Sequence, residues 1–290
     1  MIVFQYWAAS LAICRRKVCV VSDKVSLIDE RICGLRQKIA RPCTAFETGG
    51  FRPAGDDREN WIGRVFLCKP EEARPVVDSE GRPLYPLAQF YLPDLPYVPE
   101  QLSHITWLTV FVGEEIPELE EFELKRGDMA FLEHIGRHGK GWLIREYTAD
   151  DELVRYEYPA DPNGSPKPFP LKPVFLERDF PIWDGGGLDG HLEDEICDFE
   201  DDDDEANCLS YYDDIGTEHD YRHKFGGYPS FCQSGICENA DGRLLMHDHF
   251  EFMFQISSDS KACFNVIDSG SLMFSRNPEN GEWSLYYNFY

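Results

Sequence analysis

The sequence predicts an α+β fold, mostly antiparallel β-sheet in two related halves, with an N-terminal helix. Three observations predict it. An apolar stripe at helical spacing lies before residue 40. Beyond residue 41 the apolar runs are short, rich in β-branched and aromatic residues, and separated by turn residues. One pattern also occurs twice, a Gly-Gly-aromatic-proline turn followed by a Gln inside an apolar strand. The chain can fill a core, since 42% of its 290 residues are hydrophobic and 14% aromatic.

The elements follow in order. Residues 2–13, IVFQYWAASLAI, are apolar but too short to span a bilayer. Arg15, Arg16 and Lys17 come after this run, whereas a secretory signal puts its basic residues first. It reads as a core-packed strand or helix, or as an extension upstream of the native start. Ser22–Ile39 is predicted helical, because Val25, Ile28, Ile32, Leu35 and Ile39 form one face. Ser22 can cap its start and Arg41-Pro42 ends it. Residues 1–40 are thus an extension with an amphipathic helix, and 41–290 form the main domain.

Thr106–Val112 is a dense strand run. Gly141–Tyr147 and Leu153–Tyr158 read as a hairpin about Ala149-Asp150-Asp151. Pro159–Pro181 is proline-rich and reads as an extended connection. Phe250–Ile256, Ala262–Ile267, Ser271–Phe274 and Trp283–Phe289 read as a meander, with Asn280-Gly281 turning the last pair. The halves span about 41–158 and 221–290. Gly49-Gly50-Phe51 with Pro53 opens the first, and Gln89 lies in its apolar strand. Gly226-Gly227-Tyr228-Pro229 opens the second, and Gln255 takes the matching place. A Gln in such a strand needs hydrogen-bond partners when buried.

The connection ends in the densest charge of the chain. Asp189–Asp220 holds fifteen carboxylates and no Lys or Arg. Such a run repels itself, so its bland reading is a solvated loop. It also carries Ile196, Phe199, Leu209, Tyr211, Tyr212 and Ile215. The whole chain has a formal net charge of -25. That balance argues against direct binding of nucleic acid or an anionic membrane and favours a cationic partner.

The inventory of chemistry is thin. Ten cysteines include no CxxC pair, which fits reduced thiols in the cytoplasm. His247 and His249 would share one face of a strand, but spacing fixes no third ligand, so no metal is expected. No Gly-x-Ser-x-Gly elbow is present. Gly185-Gly186-Gly187 lies among acids, lacks a following Lys-Ser/Thr and reads as a flexible turn. No cofactor and no catalytic residue is assigned.

The stretch HKFGGYP at His223–Pro229, then Gln233, then FMFQISSDS at Phe252–Ser260, resembles the YwqG-like domain of unknown function. PLYPLAQFYLPDLPYVPEQL at Pro83–Leu102 is similar to the corresponding part of its first half. The resemblance covers roughly Arg41–Tyr290. Two departures stand out. Glu47-Thr48 precede the first Gly-Gly where the family usually has Lys. Asp268-Ser269-Gly270 stands where it often has Trp-Gly-Asp-x-Gly. The resemblance implies an antiparallel fold in two halves and no established catalysis. It also implies an association with protective partners of type VI or contact-delivered toxins, Rhs-type toxins among them.

The expected function is therefore that of a bacterial immunity protein. Its partner would be a toxin domain with a basic cleft: a nuclease, an ADP-ribosyltransferase or another NAD- or nucleotide-using toxin. The expected contacts are the carboxylates Glu193, Asp194, Glu195, Asp198, Glu200, Asp201, Asp202, Asp203, Asp204, Asp213 and Asp214, anchored by Phe199, Tyr211 and Tyr212. Two alternatives stay open. One is a small-molecule or enzymatic domain with a site between the halves, near Gln89, Gln255 and the Gly-Gly turns. The other is a scaffold whose acidic segment recruits basic partners.

Overall fold

A computed structural model describes residues 28–114, 138–164, 166–201, 210–232, 235, 237–247 and 249–289. The expectation for residues 2–13 and the Ser22 cap lie outside the described residues. Contacts divide the chain into two units. One comprises Met1–Ala40 and Gly190–Thr217; the other comprises Arg41–Asp189 and Glu218–Tyr290.

The larger unit is built on antiparallel strand pairs, as the short β-type runs predict. At its middle, β1 (Arg41–Thr48) pairs with β9 (Phe169–Asp179). On one side follow β10 (Lys224–Gly226), β13 (Phe250–Ser257), β14 (Ser271–Arg276) and β15 (Trp283–Asn288). On the other follow β2 (Asn60–Ile62), β5 (Pro83–Tyr91), β6 (Trp107–Val112) and β7 (Trp142–Tyr147). Strand β4 (Val76–Val77) adds to β5, while β12 (Arg243–His247) adds to β13 and carries β11 (Glu238–Ala240).

Several sequence expectations need correction. Pro159–Pro181 is not a mere connection, because β9 occupies eleven of its residues at the sheet centre. Pro170 and Pro173 disguise it, since a proline gives no N–H to a ladder and usually marks an edge or a break. Gly141–Tyr147 and Leu153–Tyr158 form no hairpin. Strand β7 pairs with β6, and only β8 (Val154–Arg155) forms, against β3 (Leu67–Cys68). Ala262–Ile267 is no strand; a bridge from Asp259 to Phe264 closes a loop in which Cys263 and Ile267 have positive φ. His247 ends β12 and His249 lies in the turn before β13, so they do not share a strand. The turn at Gly281, with φ of 74°, joins β14 to β15 as expected.

Strand order and register correspond across the β1/β9 pair. Lys224 on β10 faces Gln255 on β13, and Trp61 on β2 faces Gln89 on β5. Two residues on, Gly226 and Gly63 have φ of 73° and 71°. Gln255 Oε1 accepts the Ser230 N–H at 2.9 Å, and Gln89 Oε1 accepts those of Leu67 and Phe66 at 3.1 and 3.0 Å. Gly63 and Gly226 thus share a local geometry two residues beyond the position that faces a Gln.

The core lies between the two wings of the sheet. Phe254 stacks on Phe225 at 4.9 Å and on Phe274 at 4.6 Å, while Phe90 meets Phe225 edge-on at 5.0 Å. The outer strands approach through side chains. Trp142 on β7 packs on Phe274 at 5.8 Å, and Glu146 accepts bonds from Trp283 Nε1 at 2.6 Å and Arg276 Nε at 3.0 Å. The triple glycine is packed rather than loose: Gly187 N–H donates to Cys237 C=O at 2.8 Å, and a Cβ on Gly186 would meet that oxygen at 2.2 Å.

Asp78 locks the β4–β5 turn. Its side chain is fully buried and accepts from the N–H groups of Glu80, Arg82 and Gly141 and from Arg82 Nε. Burial alone would raise its pKa, but these four donors hold it down to about 2, against an ordinary 3.8. A carboxyl lowered on folding stabilises the fold fully above its unfolded pKa, and that contribution is lost as pH falls through about 2. Asp78→Asn should cost about 2 kcal/mol in urea unfolding at neutral pH, with the difference from wild type shrinking on acidification. An unchanged difference down to acid pH would contradict this account.

Candidate functional site

The smaller unit contains Gly190–Thr217, most of the acidic segment, and it is not a plain solvated loop. Helix α1, residues 28–39, buries Leu35 and Ile39. Helix α2, Gly190–Asp201, buries Ile196 and presents Glu193, Asp194, Glu195 and Asp198 to solvent. Phe199, Glu200 and Asp201 complete this helix, while Asp202, Asp203 and Asp204 lie outside the described residues. Next comes a single wide helical turn, Tyr211–Ile215, capped by Ser210, whose Oγ accepts the Asp213 N–H at 3.1 Å. Asp214 Oδ2 accepts the Ser210 N–H at 2.8 Å, so Asp214 is half spent on the turn itself. Of the two tyrosines, Tyr211 is buried and Tyr212 is half exposed. Two cations of α1 reach the segment. Lys38 pairs with Glu195 at 2.5 Å, and Arg36 donates to Thr217 Oγ1 at 3.0 Å and to the Asp214 carbonyl.

In the larger unit, the KFGGYP turn surrounds a buried ion pair. Lys224 Nζ lies 2.7 Å from Asp179 Oδ2, and both side chains are fully buried. Asp179 also accepts the N–H groups of Tyr228 and Asp220, each at 2.8 Å. Burial pushes the Asp179 carboxyl up, and Lys224 with the two amides pulls it back only in part. His219 Nδ1 donates to Phe180 C=O at 2.6 Å, and its Nε2 accepts from Ser230 Oγ at 2.7 Å. Burial first, and Lys224 second, hold it well below its ordinary pKa, so it is neutral and donates to the carbonyl from Nδ1. Gln255 Nε2 then bonds Ser230 Oγ at 2.8 Å and the Arg222 carbonyl at 3.0 Å. Gln89 and Gln255 are both buried, and the amide oxygen of each accepts backbone N–H groups, while Gln89 Nε2 is buried without a partner among the described residues.

A cleft of about 600 Å³ opens beside this network, at the end of β1. The Gly49-Gly50-Phe51 loop forms one wall, and the 258–261 turn forms another. Under it, Asp259 Oδ2 accepts from Thr48 Oγ1 and from His223 Nε2 at 3.2 Å, and Oδ1 accepts the N–H groups of Lys261 and Ala262. Despite partial burial, those bonds keep the Asp259 carboxyl well below the usual carboxylate range. His223 Nδ1 accepts the Ser257 N–H at 3.0 Å, which leaves Nε2 to carry the proton. The order is hydroxyl, carboxylate, imidazole. A nucleophilic triad needs hydroxyl bonded to imidazole instead, so this trio clamps two loops together. Sequence reasoning missed Lys172, Arg222 and Lys261 here; the Gly49-Gly50 pair was the one signal that pointed toward the site.

Among the described residues, no group of three or more His, Cys, Asp or Glu side chains could hold a metal. No helix among them is long and apolar enough to cross a membrane. The thiols of Cys43 and Cys237 are pushed up to about 12, mainly by burial, which keeps them protonated.

Comparison with protein families matches residues 63–282 to the domain of unknown function DUF1963. The chain belongs to the DUF1963 family. The match spans strands on both sides of the β1/β9 pair, including Gln89, the KFGGYP turn and Gln255. No curated protein matches the chain.

The buried pair should dominate stability. Lys224→Met leaves Asp179 buried without its counter-charge and should cost about 3–5 kcal/mol in denaturant unfolding. The double variant Lys224→Met/Asp179→Leu should recover much of that loss. Gly227→Ala should be as damaging as the single variant, since a Cβ would lie 2.3 Å from Asp179 Oδ2 at a φ of +67°. Wild-type stability of either single variant would rule out the pair as a keystone.

Proposed function

We propose that this DUF1963 chain is an immunity protein that binds and neutralises a secreted toxin with a basic active-site cleft. The observation that carries the reading is the exposed carboxylate face of α2. Glu193, Asp194, Glu195 and Asp198 stand on one short helix whose last turn has no basic residue. Asp198 sits toward the helix C-terminus, where the macrodipole disfavours anions. Arginines and lysines of a partner would relieve that repulsion through charge-assisted hydrogen bonds. Tyr212 supplies the anchoring ring, and Tyr211 leaves the expected contact set because it is buried.

Within this reading the chain works in the cytoplasm, without cofactor or catalysis. Its charge speeds encounter and its ring slows dissociation. The toxin is a nuclease, an ADP-ribosyltransferase or another NAD- or nucleotide-using enzyme, because those substrates require a cationic cleft.

The test is co-purification with the product of the neighbouring toxin gene at low and high salt, followed by kinetics. A stable complex that weakens with salt is expected. Glu193→Gln/Asp194→Asn/Asp198→Asn should slow association by about tenfold or more at low salt. Tyr212→Ala should mainly speed dissociation. A triple variant that binds and protects cells as well as wild type would remove α2 from the mechanism. Protection without any complex would instead favour a small-molecule or enzymatic domain, and that second reading has the β1-end cleft in its favour.

A further inference from the structure

We infer that the cleft at the end of β1 is a binding site for a small phosphate-bearing organic molecule, of mononucleotide or sugar-phosphate size. The inference stands apart from the toxin-binding reading, since it uses only residues of the larger unit. The cleft volume, about 600 Å³, falls in the range of small-ligand sites.

Its lining departs from the acidic balance of the chain, with three cations to two carboxylates, although Lys172 is paired with Glu47 and Arg222 with Asp220. In a protein of formal charge -25, the lining brings Lys172, Arg222 and Lys261 together. The two lining carboxylates are already engaged. Asp259 holds four donors, and Glu47 faces Lys172 across the β1/β9 ladder at 3.7 Å. Arg222 is braced by Asp220, with Nη2 to Oδ2 at 2.6 Å, which fixes the guanidinium in place. Lys261 Nζ is held at 2.7 Å by the Thr48 carbonyl, a neutral acceptor that leaves its full charge for a ligand. Ser258 and Ser260 add hydroxyls on the same wall. Cations and hydroxyls on a braced frame are what a phosphate group requires.

The backbone adds to this. Gly49 and Gly50 take consecutive positive φ values of 61° and 81°, and a Cβ on Gly50 would meet nothing within 4 Å. A ligand can therefore approach the main chain closely. Phe51, 40% exposed, gives the wall a flat apolar surface against which a ring can lie. The loop behind Ser258–Ser260 is held in strained conformations, with Cys263, Ile267 and Ser269 at φ of 53°, 51° and 58°. Non-glycine residues keep such angles where the surroundings enforce them, and they gather at ligand clamps. A long polyanion would feel the whole negative chain. A small anion inside the cleft feels chiefly charges within a Debye length, about 8 Å at physiological salt.

The experiment is calorimetric titration of the full chain with adenosine 5′-monophosphate, ribose 5-phosphate and adenosine, on wild type, Lys261→Met and Phe51→Ala. Thermal unfolding of each variant checks that it folds. Saturable one-to-one binding of both phosphates, with adenosine at least about tenfold weaker, is expected. Lys261→Met should weaken both phosphates about tenfold, the loss of one charge-assisted contact. Phe51→Ala should erase any preference for the nucleotide over the sugar phosphate. Failure of both phosphates to saturate at millimolar concentration would overturn the inference, and so would equal binding to folded Lys261→Met or equal binding of adenosine. Loss of phosphate binding by Lys261→Met with toxin binding intact would separate this site from the α2 surface.

Discussion

The ion pair of Lys224 and Asp179 is the constraint on which the middle of the larger unit depends. Two opposite charges are wholly removed from water, and their attraction offsets desolvation only when the remaining hydrogen-bonding positions are filled. The chain fills them with backbone. Tyr228 and Asp220 amides complete the Asp179 carboxylate, and the Asp220 carbonyl caps the ammonium at 2.5 Å. To deliver those groups, the segment must fold back over Asp179 within a few residues. That reversal needs Gly226 and Gly227, both with positive φ, and leaves no room for a Cβ at either. The Lys-x-Gly-Gly-x-Pro pattern is thus explained as the wrapping of one buried carboxylate. A pair of this kind specifies register, because sliding β10 by one residue would strand both charges.

What was legible in the sequence follows from how local each signal is. Thr106–Val112, Phe250–Ile256 and Trp283–Phe289 declared themselves through unbroken apolar runs, and each is a strand within a residue or so. Strand β9 did not. Its neighbours β1 and β2 come from more than a hundred residues earlier, so nothing nearby announces the pairing, and its prolines argue against it. Ala262–Ile267 erred in the other direction. An apolar stretch of strand composition was diverted into a loop by the bonds from Asp259 to Lys261 and Ala262. Of the candidate site, the acidic helix was visible as composition but not as a helix, because like charges obscure its single apolar ridge of Leu192 and Ile196. Lys172, Arg222 and Lys261 were invisible as a set, since three distant stretches supply them and only the fold brings them to one cleft.

Gln89 and Gln255 show how a conspicuous residue can mislead. A polar amide in an apolar strand suggests a ligand contact. Here each amide oxygen instead accepts backbone N–H groups from the loop six residues beyond the facing strand position. The chain turns at Gly63 and Gly226, both with positive φ, before it reaches these donors. A buried amide left unpaired costs a few kcal/mol, so the side chain takes over the ladder's task. Each Gln therefore holds a chain segment that follows a positive-φ glycine.

Electrostatics divides the molecule in a way that composition conceals. Fifteen carboxylates lie within Asp189–Asp220, and α2 carries six of them in twelve residues. Asp194 and Asp198 stand one turn apart on the same face, and like charges so placed weaken a helix. Lys38 and Arg36 of α1 offset only part of this. The helix is thus held by Ile196 and its packing against a charge pattern that opposes it. Replacing a few of these acids with Gln or Ser would raise local stability at no cost to the apolar ridge. The exposed face of this helix thus breaks a local rule that its core positions obey, and nothing within the described chain offsets the difference in full.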